Sequence, residues 1–139
     1  MEQTLLQGDL ILADKAIYKK SEPKRGDINI FIYPEDTKKM GISRLVGLPG
    51  ETVEIKKGSI LINGTLLTEP SFAKKYYYNR GNYTNEGQAI TIPQDSYFVL
   101  GDNSAFSNDS RYWGVVPKKY IVGKAYKMLY PFNRSGPIK

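Results

Sequence analysis

Asn63-Gly64 stands between Ser59-Ile60-Leu61-Ile62 and Thr65-Leu66-Leu67. A two-residue type I′ turn needs positive φ at both central positions, and Asn-Gly tolerates this well, so the segment predicts a β-hairpin. Similar punctuation runs along the chain. Arg25-Gly26-Asp27, Leu48-Pro49-Gly50, Lys57-Gly58, Pro93-Gln94-Asp95 and Gly101-Asp102-Asn103 separate β-rich runs over residues 9–18, 27–33, 42–48, 52–55, 59–62, 89–92, 97–100 and 125–130. Runs of strand length between turn signals predict antiparallel sheets and a mainly β fold class. Helical pattern is confined to Pro117-Lys118-Lys119-Tyr120-Ile121, where Pro suits a first turn and Gly123 a stop. Residues 72–88, rich in Tyr, Asn, Lys and Gly, predict a solvent-facing strand and loop.

The 139 residues suit one domain with its own core, and the 40% hydrophobic and 24% charged content is that of a globular protein. The chain has no Cys and no His. That excludes thiol nucleophiles, Cys/His zinc sites and any imidazole base, leaving Ser, Thr, Lys, Tyr and carboxylates for chemistry. No cofactor or metal is expected. The net charge of +6 is spread over Lys pairs such as Lys19-Lys20, Lys38-Lys39, Lys56-Lys57, Lys74-Lys75 and Lys118-Lys119, which read as solvated strand ends. Aromatics interleaved with basic residues over 76–83 can stack on bases, yet no RNA-binding motif accompanies them, so nucleic acid is not an expected partner. No apolar stretch reaches the roughly 18–20 residues of a membrane span.

Four segments in order resemble the boxes of type I signal peptidases, the membrane-tethered serine endopeptidases that remove signal peptides. Met1-Glu2-Gln3-Thr4-Leu5 with Gly8-Asp9 resembles Ser-Met-x-Pro-Thr-Leu, whose Ser is the nucleophile; the chain begins at the Met, and Gln3 replaces Pro. Arg25-Gly26-Asp27-Ile28-Asn29-Ile30-Phe31 resembles the structural strand Arg-Gly-Asp-Ile-Val-Val-Phe. Ser43-Arg44-Leu45-Val46-Gly47-Leu48-Pro49-Gly50-Glu51 resembles Lys-Arg-Val-Ile-Gly-Leu-Pro-Gly-Asp, whose Lys is the general base; here that position is Ser43. The segment from Gly101 to Gly114 resembles Gly-Asp-Asn-Arg-x-x-Ser-x-Asp-Ser-Arg-x-Trp-Gly, with Ser104 in place of the Arg.

The resemblance implies two antiparallel β-sheets in a single domain, with a core from residues 1–55 and 94–139 and an inserted β-region over 56–93, in a compact Gram-positive-like form. It also implies an N-terminal membrane anchor upstream, placing the domain on the extracytoplasmic face of the cell membrane. Met1, Ser43 and Arg44 fall at family-site positions. Ser107 matches the Ser that orients the lysine, and Asp109 and Arg111 match a structural, partly buried ion pair. The expected partner is an extended polypeptide, an exported precursor or a pilin-like protein, docked along a sheet edge.

A Ser protease without His needs another base, such as a neutral Lys in an apolar pocket. Ser43 cannot serve, because its hydroxyl stays protonated near neutral pH. Lys38 and Lys39 lie about 13–16 Å along the strand from the site. No self-sufficient protease is therefore expected. The preferred reading is a scaffold that binds polypeptide without cutting it, by analogy a factor in surface pilus assembly; it accounts for Ser43, Gln3 and Ser104 together. The alternative is an active signal peptidase of which this sequence is a shortened or altered form. Leu5, Leu6, Leu10, Phe106, Trp113 and Phe132 are candidates for an apolar membrane-facing surface, with burial in the core the favoured reading of each.

Overall fold

Alternation along Ile42-Ser43-Arg44-Leu45-Val46 sends successive side chains to opposite faces of a strand, and each face finds its own core. In the computed structural model, which describes residue 1 and residues 4–138, the strands are β1 (Leu10–Asp14), β2 (Ile28–Tyr33), β3 (Asp36–Gly47), β4 (Thr52–Lys56), β5 (Ser59–Ile62), β6 (Thr65–Leu66), β7 (Ile90–Thr91), β8 (Ser96–Leu100), β9 (Val116–Pro117), β10 (Ile121–Tyr130) and β11 (Gly136–Pro137). One four-residue helix, α1 (Ser110–Trp113), joins them.

All described pairings are antiparallel. The larger sheet runs β1-β10-β2-β3-β8-β9, with β11 on β10, and the smaller runs β6-β5-β4-β7. The mainly β expectation with two antiparallel sheets holds. Register shifts in the β1–β10 and β10–β2 pairings bend the larger sheet.

Val46, Phe98 and Leu100 meet Val53, Ile55, Ile60 and Ile62 of the smaller sheet in the principal core. On the same face, Ile28, Ala125 and Met128 bury Leu5, with Met1 and Ile42 packed alongside. The opposite face carries Phe31, Val99 and Val116 beneath Tyr33 and Trp113. Arg25 donates from both terminal nitrogens to Glu51 at 2.7 and 3.0 Å, tying the start of β2 to the turn after β3.

Asn63 and Gly64 take φ of 52° and 80°, and Ile62 pairs with Thr65, as a type I′ hairpin requires. Other local expectations need correction. The first strand stops at Asp14, whose Oδ1 accepts from Ala16 N at 2.8 Å and Ile17 N at 3.1 Å and turns the chain into a 3-10 turn over Ile17–Lys19. Residues 72–88 form no strand, and they do not simply face solvent: Phe72, Tyr77 and Thr84 are buried. Asn79 Nδ2 holds this excursion by donating to Ile55 O and Thr84 O. At 117–121 Pro117 ends β9 and a single 3-10 turn covers Lys118–Tyr120. Helix α1 is too short to show a period and is set by Asp109, which accepts from Arg111 N as its cap.

Candidate functional site

The ends of β3 and β8 form the site. Arg44 pairs in register with Leu100, so Ser43 and Gly101 adjoin one residue further on. A Cβ placed on Gly101 would lie 2.1 Å from Ser107 Oγ and 3.8 Å from Met1 N. The absent side chain of Gly101 is thus the space in which the Ser107 hydroxyl sits, and the backbone nitrogen of Met1 lies beside that space. Ser43, only 3% exposed, belongs to this face, with Asn29 as its direct partner on β2. Gly101, Ser107 and the backbone nitrogen of Met1, distant in sequence, are brought close, and strand register sets Ser43 beside Gly101.

A buried brace holds the loop. Arg111 Nε donates to Asp109 Oδ1 at 2.8 Å, and neither side chain is exposed, so the pair is deeper than the partial burial expected. The same guanidinium donates to the carbonyls of Tyr78, Ser104 and Ser107 and to Ser104 Oγ. Asp109 Oδ2 accepts from Gly101 N at 3.1 Å. One ion pair therefore positions both Gly101 and Ser107. Ser104 is part of it: besides taking Arg111 Nη1, its hydroxyl accepts from Tyr78 N at 2.9 Å.

Arg44 turns to the other face. Its Nε and Nη2 donate to Asp102 at 2.9 and 2.8 Å, both residues being buried. Asp102 also accepts from Thr4 Oγ1, pairs with Lys75 Nζ at 3.2 Å, and donates its backbone N–H to Met1 Sδ. Burial opposes the charge on Asp102, but hydrogen bonds from Arg44 and Thr4 and the nearby cations hold its carboxyl below the usual range. Burial lowers the affinity of the Lys75 amine for its proton, with Asp102 acting the other way and Arg44 adding to the fall. Asp102 anchors the segment leading away from Met1; Gln3 lies outside the described residues.

Lys39 is no substitute base. It is exposed and 3.9 Å from Asp36, and Tyr33 fills the space above Gly41, between Lys39 and Ser43 on that face of the strand. Lys38 is also exposed. From sequence Asp102, Thr4 and Asn29 have no role of their own, and Lys75, expected as a solvated strand end, lies instead in the irregular excursion, mostly buried against Asp102. The Gly-Asp-Asn box contained a signal for Asp102, but Lys75 reaches it from the excursion, without any local pattern. Among the described residues no cluster of acidic side chains suits a metal ion, and no helix is long and apolar enough to cross a membrane. Of the apolar surface candidates, Leu5 is core and Trp113 packs on Phe31 and Tyr33. Leu6, Leu10, Phe106 and Phe132 are exposed, against the expectation of burial.

The two antiparallel sheets and this loop-braced strand end go with a family: the one described as "Signal peptidase, peptidase S26" matches residues 1–130. The chain belongs to that family. It is 36% identical over 142 residues to a probable signal peptidase I-2 of Synechocystis sp., covering 98% of this chain and 62% of that protein. It is 36% identical over 143 residues to signal peptidase I T of Bacillus subtilis, covering 100% and 74%. A crystal structure of a signal peptidase I from Enterococcus faecalis V583 superposes with a TM-score of 0.59 at 38% identity, over 75% of this chain and 97% of that one. The chain thus spans about three-fifths of the length of the Synechocystis relative.

Proposed function

We propose that this chain is the precursor-handling domain of a signal peptidase, a serine endopeptidase acting on exported polypeptides at the extracytoplasmic membrane face. The observation that carries the reading is the close approach of Met1 N, Gly101 and Ser107, within a chain similar over nearly its whole length to proteins named signal peptidase I. The backbone nitrogen of Met1 lies beside Gly101 and Ser107, whose backbones the Asp109–Arg111 pair holds in place. The exposed Leu6, Leu10, Phe106 and Phe132 support work beside a membrane.

Ser43 favours a second reading, a domain that binds polypeptide and leaves it uncut, as an accessory or pilus-assembly factor. Its hydroxyl supplies no base, and general-base catalysis is worth about 10²–10⁴-fold. Incubating the full-length protein with an exported precursor in lipid separates the readings. Cleavage at the signal junction supports the peptidase. Saturable precursor binding without cleavage, unaffected by changes at Ser43, supports the binding factor and overturns the peptidase.

A further inference from the structure

Asn29 is fully buried on β2 and pairs directly with Ser43 on β3. Directly opposed residues of an antiparallel pair have Cβ atoms about 4.5–5.5 Å apart, so these side chains share one pocket. In the strand motif that the β2 segment resembles, the position of Asn29 carries Val. Two polar residues therefore line the place where the family keeps a lysine among apolar neighbours.

The hydrogen balance decides which end of the Asn29 amide faces Tyr18. Tyr18 Oη lies 2.6 Å from Asn29 Oδ1 and 2.9 Å from Asp27 Oδ2, while Asn29 Nδ2 is buried without a partner. One phenol proton cannot serve two acceptors. Burial and the hydrogen bond to Asp27 raise the pKa of Tyr18, so the phenol keeps that proton. Both Tyr18 contacts have a proton when Tyr18 donates to Asp27 and the amide is turned so that Nδ2 donates to Tyr18. The carbonyl oxygen of Asn29 then occupies the unpartnered position, as an acceptor facing away from Tyr18.

We infer that Asn29 is a second determinant of this pocket beside Ser43: turned this way, it presents a carbonyl oxygen toward position 43 and keeps an amine placed there protonated. The inference rests on the reading of position 43 as that of the base. A hydrogen bond to the charged form of a group favours that form, and a buried acceptor does so more strongly than one in water. The other charged and titratable groups do not reverse this. Asp27, two residues before Asn29, is paired with Lys124 of β10 at 3.2 Å. Tyr33 remains protonated, its pKa raised by burial and by the charges of Asp109 and Glu35. Asp109 is held by Arg111.

The test places a lysine in the pocket with and without the acceptor and titrates it by NMR, using lysine labelled with ¹³C at Cε. In Ser43→Lys the new resonance is expected to titrate near the ordinary lysine value; in Ser43→Lys with Asn29→Val it is expected about one to three pH units lower. Equal values in the two variants would overturn the inference. The unaltered protein gives an independent check: the Asn29 side-chain amide protons should show a stronger nuclear Overhauser effect to the Tyr18 ring than to the Ser43 β-protons, and the reverse order would overturn the assignment. The same two variants, extended by a Ser before Met1 and assayed on a precursor, keep the failures apart. A depressed pKa in the double variant supports the role of Asn29 whether or not that variant cleaves, since cleavage also depends on Gln3 and Ser104. Equal pKa values overturn that role even where cleavage appears; the peptidase reading itself falls only if the full-length natural protein leaves a bound precursor uncut.

Discussion

Arg111 closes a two-point ion pair on Asp109 in which neither side chain meets solvent, and the same guanidinium spans the carbonyls of Tyr78, Ser104 and Ser107. The pair is a joint between the excursion and the site loop more than a source of net stability, since desolvation offsets much of the attraction. Breaking it is another matter. Arg111→Ala strands a buried carboxylate and several carbonyls, and is expected to cost about 3–5 kcal/mol, a fall in Tm on the order of 10 °C. Thermal unfolding of the variant checks this; an unchanged Tm would mean the pair is solvated.

Asp102 gives the protein an acid limit. Its folded pKa lies below its unfolded value near 3.8, so the stability it contributes is present above that value and is lost as pH falls through the lower, folded one. Denaturant unfolding between pH 5 and 2 should show a decline that is shallower in Asp102→Asn. That variant is also expected to be less stable at pH 7, because Arg44 and Lys75 lose their shared counter-charge. A parallel acid limb in the two proteins would assign the decline to other carboxylates.

The β5–β6 hairpin offers a cleaner test of local geometry. Gly64 has φ of 80° and open space where a Cβ would go, so Gly64→Ala isolates backbone strain from crowding. The expected cost is about 1–2 kcal/mol by equilibrium unfolding. No measurable cost would mean that the turn relaxes into another type.

These contrasts show what could be read from the residues alone. Asn63-Gly64 was legible because a type I′ turn is decided by its two central residues. The Asp109–Arg111 pair was legible because its partners lie two residues apart within one recognisable box. Lys75 on Asp102 was not: the contact joins an irregular excursion to a strand end, and no period or spacing encodes it. Asn29 beside Ser43 is set by the register of β2 against β3, which only the folded sheet specifies. The burial of Tyr77 was hidden for a similar reason, since its aromatic, Asn-rich surroundings read as surface until Tyr77 N is seen bonded to Gly58 O.

Gly101 and Ser107 provide the sharpest test of the site. A methyl on Gly101 would meet Ser107 Oγ at 2.1 Å and Ser107 Cβ at 2.6 Å, distances that no real contact allows. Arg111 holds the Ser107 carbonyl and Asp109 holds the Gly101 N–H, so neither backbone can withdraw freely. Gly101→Ala is therefore expected to push the Ser107 side chain out of the site, destabilise the fold by about 1–3 kcal/mol and reduce precursor binding or cleavage. Removing the obstructing side chain should restore stability, so Gly101→Ala with Ser107→Gly is expected to unfold later than Gly101→Ala alone. Function should stay low in the double variant, because the Ser107 hydroxyl beside Gly101 is gone. A double-mutant cycle on Tm and precursor binding measures both effects, and strictly additive losses in stability would show that the two residues do not share this space.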